Sequence, residues 1–139
     1  MTKYCSQSAQ GYKGFTDSLT TLLPGDDVAT MNLGEGVHIP TEAEWKELID
    51  YTISELTTLN GVYGCNFTGS NGNSIFLPAA GNRNESGLYG AGDSGNGFYW
   101  TSSTDVISGY AKGGVFFFTG FVGVGGTNRA GGHTVRAVR

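Results

Sequence analysis

Apolar positions fall at helical spacing most clearly between Thr41 and Tyr51, where Trp45, Leu48 and Ile49 line one side and Glu42, Glu44 and Glu47 are left for a solvated face. Thr41 with Glu44 three residues on makes a capping box, and Glu42 and Glu44 suit the positive end of the helix dipole. A shorter helix of about two turns is predicted over residues 28–33, between the acidic pair Asp26-Asp27 and the stop Gly34. After the second helix the period changes. Residues 56–59 and 62–68 flank Asn60-Gly61, a pair that accepts the positive φ angles of a type I′ turn, so a hairpin is predicted. A second turn at residues 70–73 leads into a strand over 74–77 that Pro78 ends. Residues 79–97 are almost all Gly, Asn, Ser and Asp and predict a long loop. Strand character returns at residues 98–103.

Residues 115–139 predict two strands bracketing a polar, glycine-rich loop. Side chains alternate across a strand, so in residues 115–118 either Val115 and Phe117 or Phe116 and Phe118 point away from a one-sided core. Burial on both faces is the other reading, and periodicity alone does not choose. At the end of the chain Thr134 and Arg136 alternate with Val135 and Ala137, which predicts a strand with one face in the core.

Composition adds to this picture. A chain of 139 residues with 24 Gly, 14% charged and 12% aromatic residues predicts one loop-rich domain with short strands. The net charge of -4 argues against a nucleic-acid partner. No apolar run is long enough for a transmembrane helix, so no membrane insertion is expected, and residues 1–13 lack the apolar region of a signal peptide. Cys5 and Cys65 are far apart, without a metal-ligand spacing. Two unpaired thiols are preferred, with a Cys5–Cys65 bridge as the alternative.

Four ordered motifs carry a resemblance. They are Ile39-Pro40-Thr41-Glu42-Ala43-Glu44-Trp45, Asn73-Ser74-Ile75-Phe76-Leu77-Pro78-Ala79-Ala80-Gly81, Tyr99-Trp100-Thr101-Ser102-Ser103 and Gly132-His133-Thr134-Val135-Arg136-Ala137-Val138-Arg139. Together they resemble bacterial domains of C-type-lectin fold, in particular Fibrobacter-type major paralogous domains and the variable proteins of diversity-generating retroelements. The resemblance implies an α+β, C-type-lectin-like fold of two helices with short antiparallel strands and long loops, spanning residues 1–139. Leu33 and Val37-His38 depart from the Trp and Trp-Arg that such relatives commonly carry there.

In the retroelement proteins a C-terminal segment is rewritten at template adenines, and an asparagine codon so altered never yields Lys, Glu, Gln, Met or Trp. Between Thr104 and Thr134 this excluded set is represented by Lys112 alone, whereas about four such residues are expected from their frequency elsewhere in the chain. The resemblance therefore implies a variable region at about residues 98–134. Its ligand-facing residues would be Phe98, Val106, Ile107, Tyr110, Phe116, Phe118, Phe121, Gly123, Gly125, Gly126, Thr127, Asn128, Gly131 and His133, with Val115 and Phe117 turned to the core.

The function so implied is a binding module without catalytic activity, metal or cofactor, recognising a protein or glycan on a cell or phage-host surface. Its expected place is extracellular, on a cell surface or on a phage particle. A non-diversified surface or adhesion domain is the alternative within the same class. A formylglycine-generating-enzyme-like oxidase shares a Pro-Thr-Glu-Ala-Glu-Trp helix start, but its chemistry needs reactive thiols in the C-terminal half, and no Cys follows Cys65. Calcium-binding lectin motifs are absent; a calcium site would have to be built from Asp93, Asn96 and backbone carbonyls of the long loop, and none is expected.

Overall fold

The computed structural model describes residues 1–139 except Ser86, Asp93, Ser94, Val106 and Ser108. A 3-10 turn at Tyr12–Gly14 precedes helix α1 (Val28–Leu33) and helix α2 (Glu42–Tyr51), both at the predicted places. Asp27 caps α1: Oδ1 accepts from the N–H groups of Ala29 at 2.8 Å and Thr30 at 3.2 Å, while Oδ2 accepts from Ile39 N–H at 2.8 Å. Three backbone donors explain how this carboxylate is tolerated while buried. At α2 the capping box is complete, with Thr41 N–H donating to Glu44 Oε2 at 2.7 Å and Glu44 N–H donating to Thr41 Oγ1 at 3.2 Å. Partial burial works to raise the Glu44 carboxyl, but hydrogen bonds from Thr41 and His38 outweigh it and hold the pKa below its ordinary value.

Strands β1 (Thr52–Leu59), β2 (Val62–Gly69) and β3 (Ser74–Pro78) form a three-stranded antiparallel sheet in that order. The β1–β2 turn has Asn60 at φ 50° and Gly61 at φ 81°, as the Asn-Gly pair predicts. Strands β4 (Ala80–Asn84), β5 (Gly87–Ala91), β6 (Gly97–Thr104), β7 (Tyr110–Phe116) and β8 (Val122–Asn128) form a second sheet in the order β5-β4-β6-β7-β8. No helix among the described residues is long and apolar enough to cross a membrane.

The expected α+β, C-type-lectin-like fold is overturned. The chain is 43% strand and 14% helix, arranged as two sheets with a curled half-barrel. Much of the extra strand lies where loops were expected. Within 79–97, β4 and β5 pair antiparallel from Ala80↔Ala91 to Asn84↔Gly87. At Gly81, φ is +67° and an added Cβ would run into the Tyr89 carbonyl, so only glycine suits this close approach. Likewise β8 pairs with β7 along its whole length, from Phe116↔Val122 to Tyr110↔Asn128, although four of its seven residues are Gly or Asn. Backbone pairing needs no side chain, and glycines erase the alternation by which a strand is read.

The main core lies between the sheets and α2 and centres on Trp45, Cys65, Phe67, Leu77, Tyr99 and Phe116. Tyr99 donates its hydroxyl to the Pro78 carbonyl at 2.7 Å, and burial pushes its phenol up to about 12 against the opposing charge of Arg136. Gly114 faces α2 directly: a Cβ there would overlap the Trp45 indole.

Two further expectations need correction. Phe116 was expected to face ligand and Phe117 the core, but Phe116 is 0% exposed and Phe117 lies half-buried on the other face. The reason is steric. Phe116 pairs with Gly97, and its ring occupies the space that a Cβ at Gly97 would fill. The C-terminal segment is not a regular strand with Val135 in the core. It is held by bridges Tyr99↔Thr134 and His38↔Val138, leaving Val135 40% exposed while Ala137 packs against the smaller cluster of Ala29, Val37 and Ile39.

Candidate functional site

Alternation along β6, β7 and β8 divides the second sheet into two faces. Phe116, Gly114, Tyr99, Val122 and Val124 belong to the core face. The outer face carries Phe98 and Trp100 from β6, Gly113 and Val115 from β7, and Gly123, Gly125 and Thr127 from β8. His133 joins this face because the bridge at Thr134 lays the C-terminal segment along β6, with Thr134 N–H donating to the Phe98 carbonyl at 2.9 Å and Trp100 N–H donating to that of Thr134 at 2.9 Å. A Cβ at Gly113 would stand 3.4 Å from Thr127 Cγ2 and 3.8 Å from His133 Nδ1, which shows that these groups share one face.

On this face the rings form a continuous ladder. Phe121 stacks on Phe117 with centroids 5.6 Å apart, and Phe117 meets Phe98 edge-on at 5.9 Å. Phe98 meets His133 at 5.4 Å, and His133 stacks on Trp100 at 4.2 Å with 16° between planes. The tight turn after β7 brings the first two rings together, through Phe117 N–H to the Phe121 carbonyl at 2.9 Å and Gly120 N–H to the Phe117 carbonyl at 2.9 Å. Phe121 is 53% exposed and neighbouring Phe118 is 57% exposed. Beside the ladder runs a shallow glycine lane. A Cβ at Gly125 meets nothing within 4 Å, so that position opens toward solvent, whereas one at Gly123 would come 2.7 Å from the tip of the Phe121 ring, which would have to swing aside to admit it.

His133 is the titratable member of the ladder. Its Nε2 lies 3.2 Å from Thr127 Oγ1, its Nδ1 is buried without a hydrogen-bond partner, and burial depresses its pKa below the ordinary imidazole value. The folded state therefore resists a proton that the unfolded chain accepts. Stability contributed by the neutral ring is complete above the unfolded pKa and lost as pH falls through the folded one. Thermal melts at about pH 7.5 and about pH 5, on either side of the free imidazole pKa, are expected to show an acid-dependent loss that is smaller in His133→Phe. An equal loss in both proteins would remove His133 as its source.

The remaining expected site residues fall elsewhere. Tyr110, Gly126 and Asn128 alternate onto the opposite side from Thr127, where a Cβ at Gly126 would lie 2.6 Å from Asp105 and 4.0 Å from the Tyr110 ring. Asp105 pairs with Lys112 at 3.1 Å on this side. Ile107 is exposed in the β6–β7 connection, and Gly131 sits in the turn after β8, its N–H donating to the Asn128 carbonyl at 3.0 Å. Val106 lies outside the described residues, as does Asp93. The structure thus brings together Phe98, Phe121, Gly123, Gly125, Thr127 and His133, and adds Val115 and Phe117, which sequence reasoning turned to the core, and Trp100, which it left out. Trp100 was accessible to it, because strict alternation in β6 puts Trp100 on the face of Phe98.

Cys5 and Cys65 are both buried, unpaired thiols. Burial pushes Cys65 up to about 11, so it is a protonated core residue at neutral pH. Among the described residues no group of three or more His, Cys, Asp or Glu is placed to hold a metal ion. Comparisons with protein-family models, with curated proteins and with solved structures each return no match for this chain.

Proposed function

We propose that the protein is a binding module whose outer sheet face recognises a macromolecule on a cell or phage-host surface, and that this face is diversified in the manner of retroelement variable proteins. The carrying observation is the part-exposed ladder from Phe121 to Trp100 beside Gly125, which has open space for a side chain, and Gly123, which has it once the exposed Phe121 ring moves. A broad, shallow, aromatic face suits a protein or glycan surface better than a small molecule, which calls for a concave site with convergent polar groups. Each ring that gives up about 100 Å² of exposed apolar area contributes about 2.5 kcal/mol before ordering costs. Phe98, Phe117, Phe121, Gly123, Gly125 and His133 are all outside the residue set that adenine-directed rewriting excludes. Phe116 drops out of the variable set, since its burial leaves no freedom to change.

Sequencing the locus across a population of its host tests this directly. Expected are an adenine-rich near-copy of the codons for about residues 98–134, a reverse-transcriptase gene nearby, and changes at Gly123, Gly125 and His133 that spare Phe116 and Gly114. A locus without template or changes would leave a surface or adhesion domain of fixed specificity.

A further inference from the structure

The three-stranded sheet, which the ladder does not use, ends in a free strand edge. β1 lies at its margin in the order β1-β2-β3 and pairs with β2 without a break from Thr52↔Gly69 to Leu59↔Val62. The two-residue Asn60-Gly61 turn makes Leu59 and Val62 a hydrogen-bonded pair, and alternation then turns the N–H and C=O groups of Ser54, Leu56 and Thr58 away from β2. No other described residue takes up these groups. Natural edges are commonly blunted by proline, lysine or a bulge, but β1 has none of these, and Glu55 is its one charged residue. Its side chains divide by face. Leu56 lies opposite buried Cys65 and packs on the main core, whereas Ile53 and Leu59, on the outer face, are 77% and 49% exposed.

We infer that β1 pairs with β1 of a second copy of this chain, antiparallel about a two-fold axis, so that two three-stranded sheets join into one. The sequence selects the register. A two-fold axis perpendicular to the sheet keeps the outer faces of both copies on one side, so outer-face residues pair with outer-face residues. Centring the pairing on Glu55 would set two carboxylates directly opposite each other at the closer type of pair, which like charge opposes. Centring it on Leu56 instead sets Glu55 against the partner's Thr57, Ile53 against the partner's Leu59, and Leu56 against its own copy. In that register Ser54, Leu56 and Thr58 exchange backbone hydrogen bonds at the spacing an antiparallel ladder requires, and the exposed Ile53 and Leu59 cover each other. Registers centred further along pair fewer residues of the strand. One strand from each copy makes an interface smaller than the about 800 Å² per partner of standard complexes, so the dimer is weak, with a Kd on the order of 10–100 μM.

Sedimentation equilibrium of the full chain over about 5–500 μM, in about 0.15 M salt, tests the assignment. A reversible monomer–dimer equilibrium is expected. Ser54→Pro removes an outward N–H that β2 does not use, so it is expected to abolish the dimer while the melting transition is retained. Thr57→Glu, opposite the partner's Glu55 on both sides of the axis, is expected to weaken association about threefold or more, and Thr57→Lys to strengthen it about twofold or more. Both changes sit on the part-exposed outer face, so this pair decides the register even where Ser54→Pro loses its melting transition. Phe121→Ser, on the ladder, should leave the equilibrium unchanged. A monomer throughout the range, a dimer that survives in folded Ser54→Pro, the same direction of change in Thr57→Glu and Thr57→Lys, or a dimer lost in Phe121→Ser would each overturn the assignment. Because the ladder variant is read in the same experiment, failure of the β1 edge is distinguishable from failure of the outer face of the second sheet.

Discussion

Phe116→Ser is expected to destabilise the protein by about 3–5 kcal/mol, the range for truncating a buried aromatic side chain, with the stranded hydroxyl adding to the loss. Phe116 has no exposed surface, stacks against Tyr99 with centroids 6.3 Å apart, and fills the gap opposite Gly97. Phe118→Ser, one turn residue away from the sheet, should stay within about 0.5 kcal/mol, as surface changes do. Phe117→Ser should fall between, because the ring is half-buried in the ladder and contributes nothing to the main core. Urea unfolding of the three variants ranks them. A tolerated Phe116→Ser beside an unfolded Phe117→Ser would reverse the two faces of the sheet and remove the proposed binding surface.

The second large effect concerns the glycine that admits this ring. Gly97→Ala places a methyl inside the Phe116 ring, and neither the ring nor the paired strands have room to move, so a loss of about 1–3 kcal/mol is expected from overpacking. Phe116→Leu alone removes packing and is also destabilising. Combined, the two should cost less than their sum by about 0.5–3 kcal/mol, since the smaller side chain vacates the space that the methyl needs. Strict additivity in the double-mutant cycle would show that the two residues are not in contact.

Where side chains state the local rule, the sequence was legible. Thr41 and Glu44 announce α2, Asp27 and Gly34 bound α1, and Asn60-Gly61 announces the β1–β2 turn. Glycine-rich strands were not. In β4, β5 and β8 the pairing is carried by backbone groups, and the glycines that let chains approach closely also remove the alternation that reveals a strand. The same gap set the register of β7 wrong by one residue. Four consecutive apolar residues at 115–118 carry no facing information; what decides it is Gly97 across the strand pair, a contact that no local pattern contains. The outer face was half legible. Phe98, Phe121, Gly123, Gly125, Thr127 and His133 do share a surface, whereas Tyr110, Gly126 and Asn128, their neighbours in sequence, alternate away from it.

The central claim is that the outer face is free to vary while the core face is not. Two display libraries measure this most directly, one randomised at Phe98, Phe117, Phe121, Gly123, Gly125, Thr127 and His133, the other at Gly97, Tyr99, Gly114 and Phe116. Protease-resistant, folded clones are expected to persist widely in the first library and to be nearly confined to the parental residues in the second. Equal loss of folded clones from both, or greater tolerance at Phe116 and Gly114 than at Gly123 and Gly125, would contradict the assignment of this face to binding.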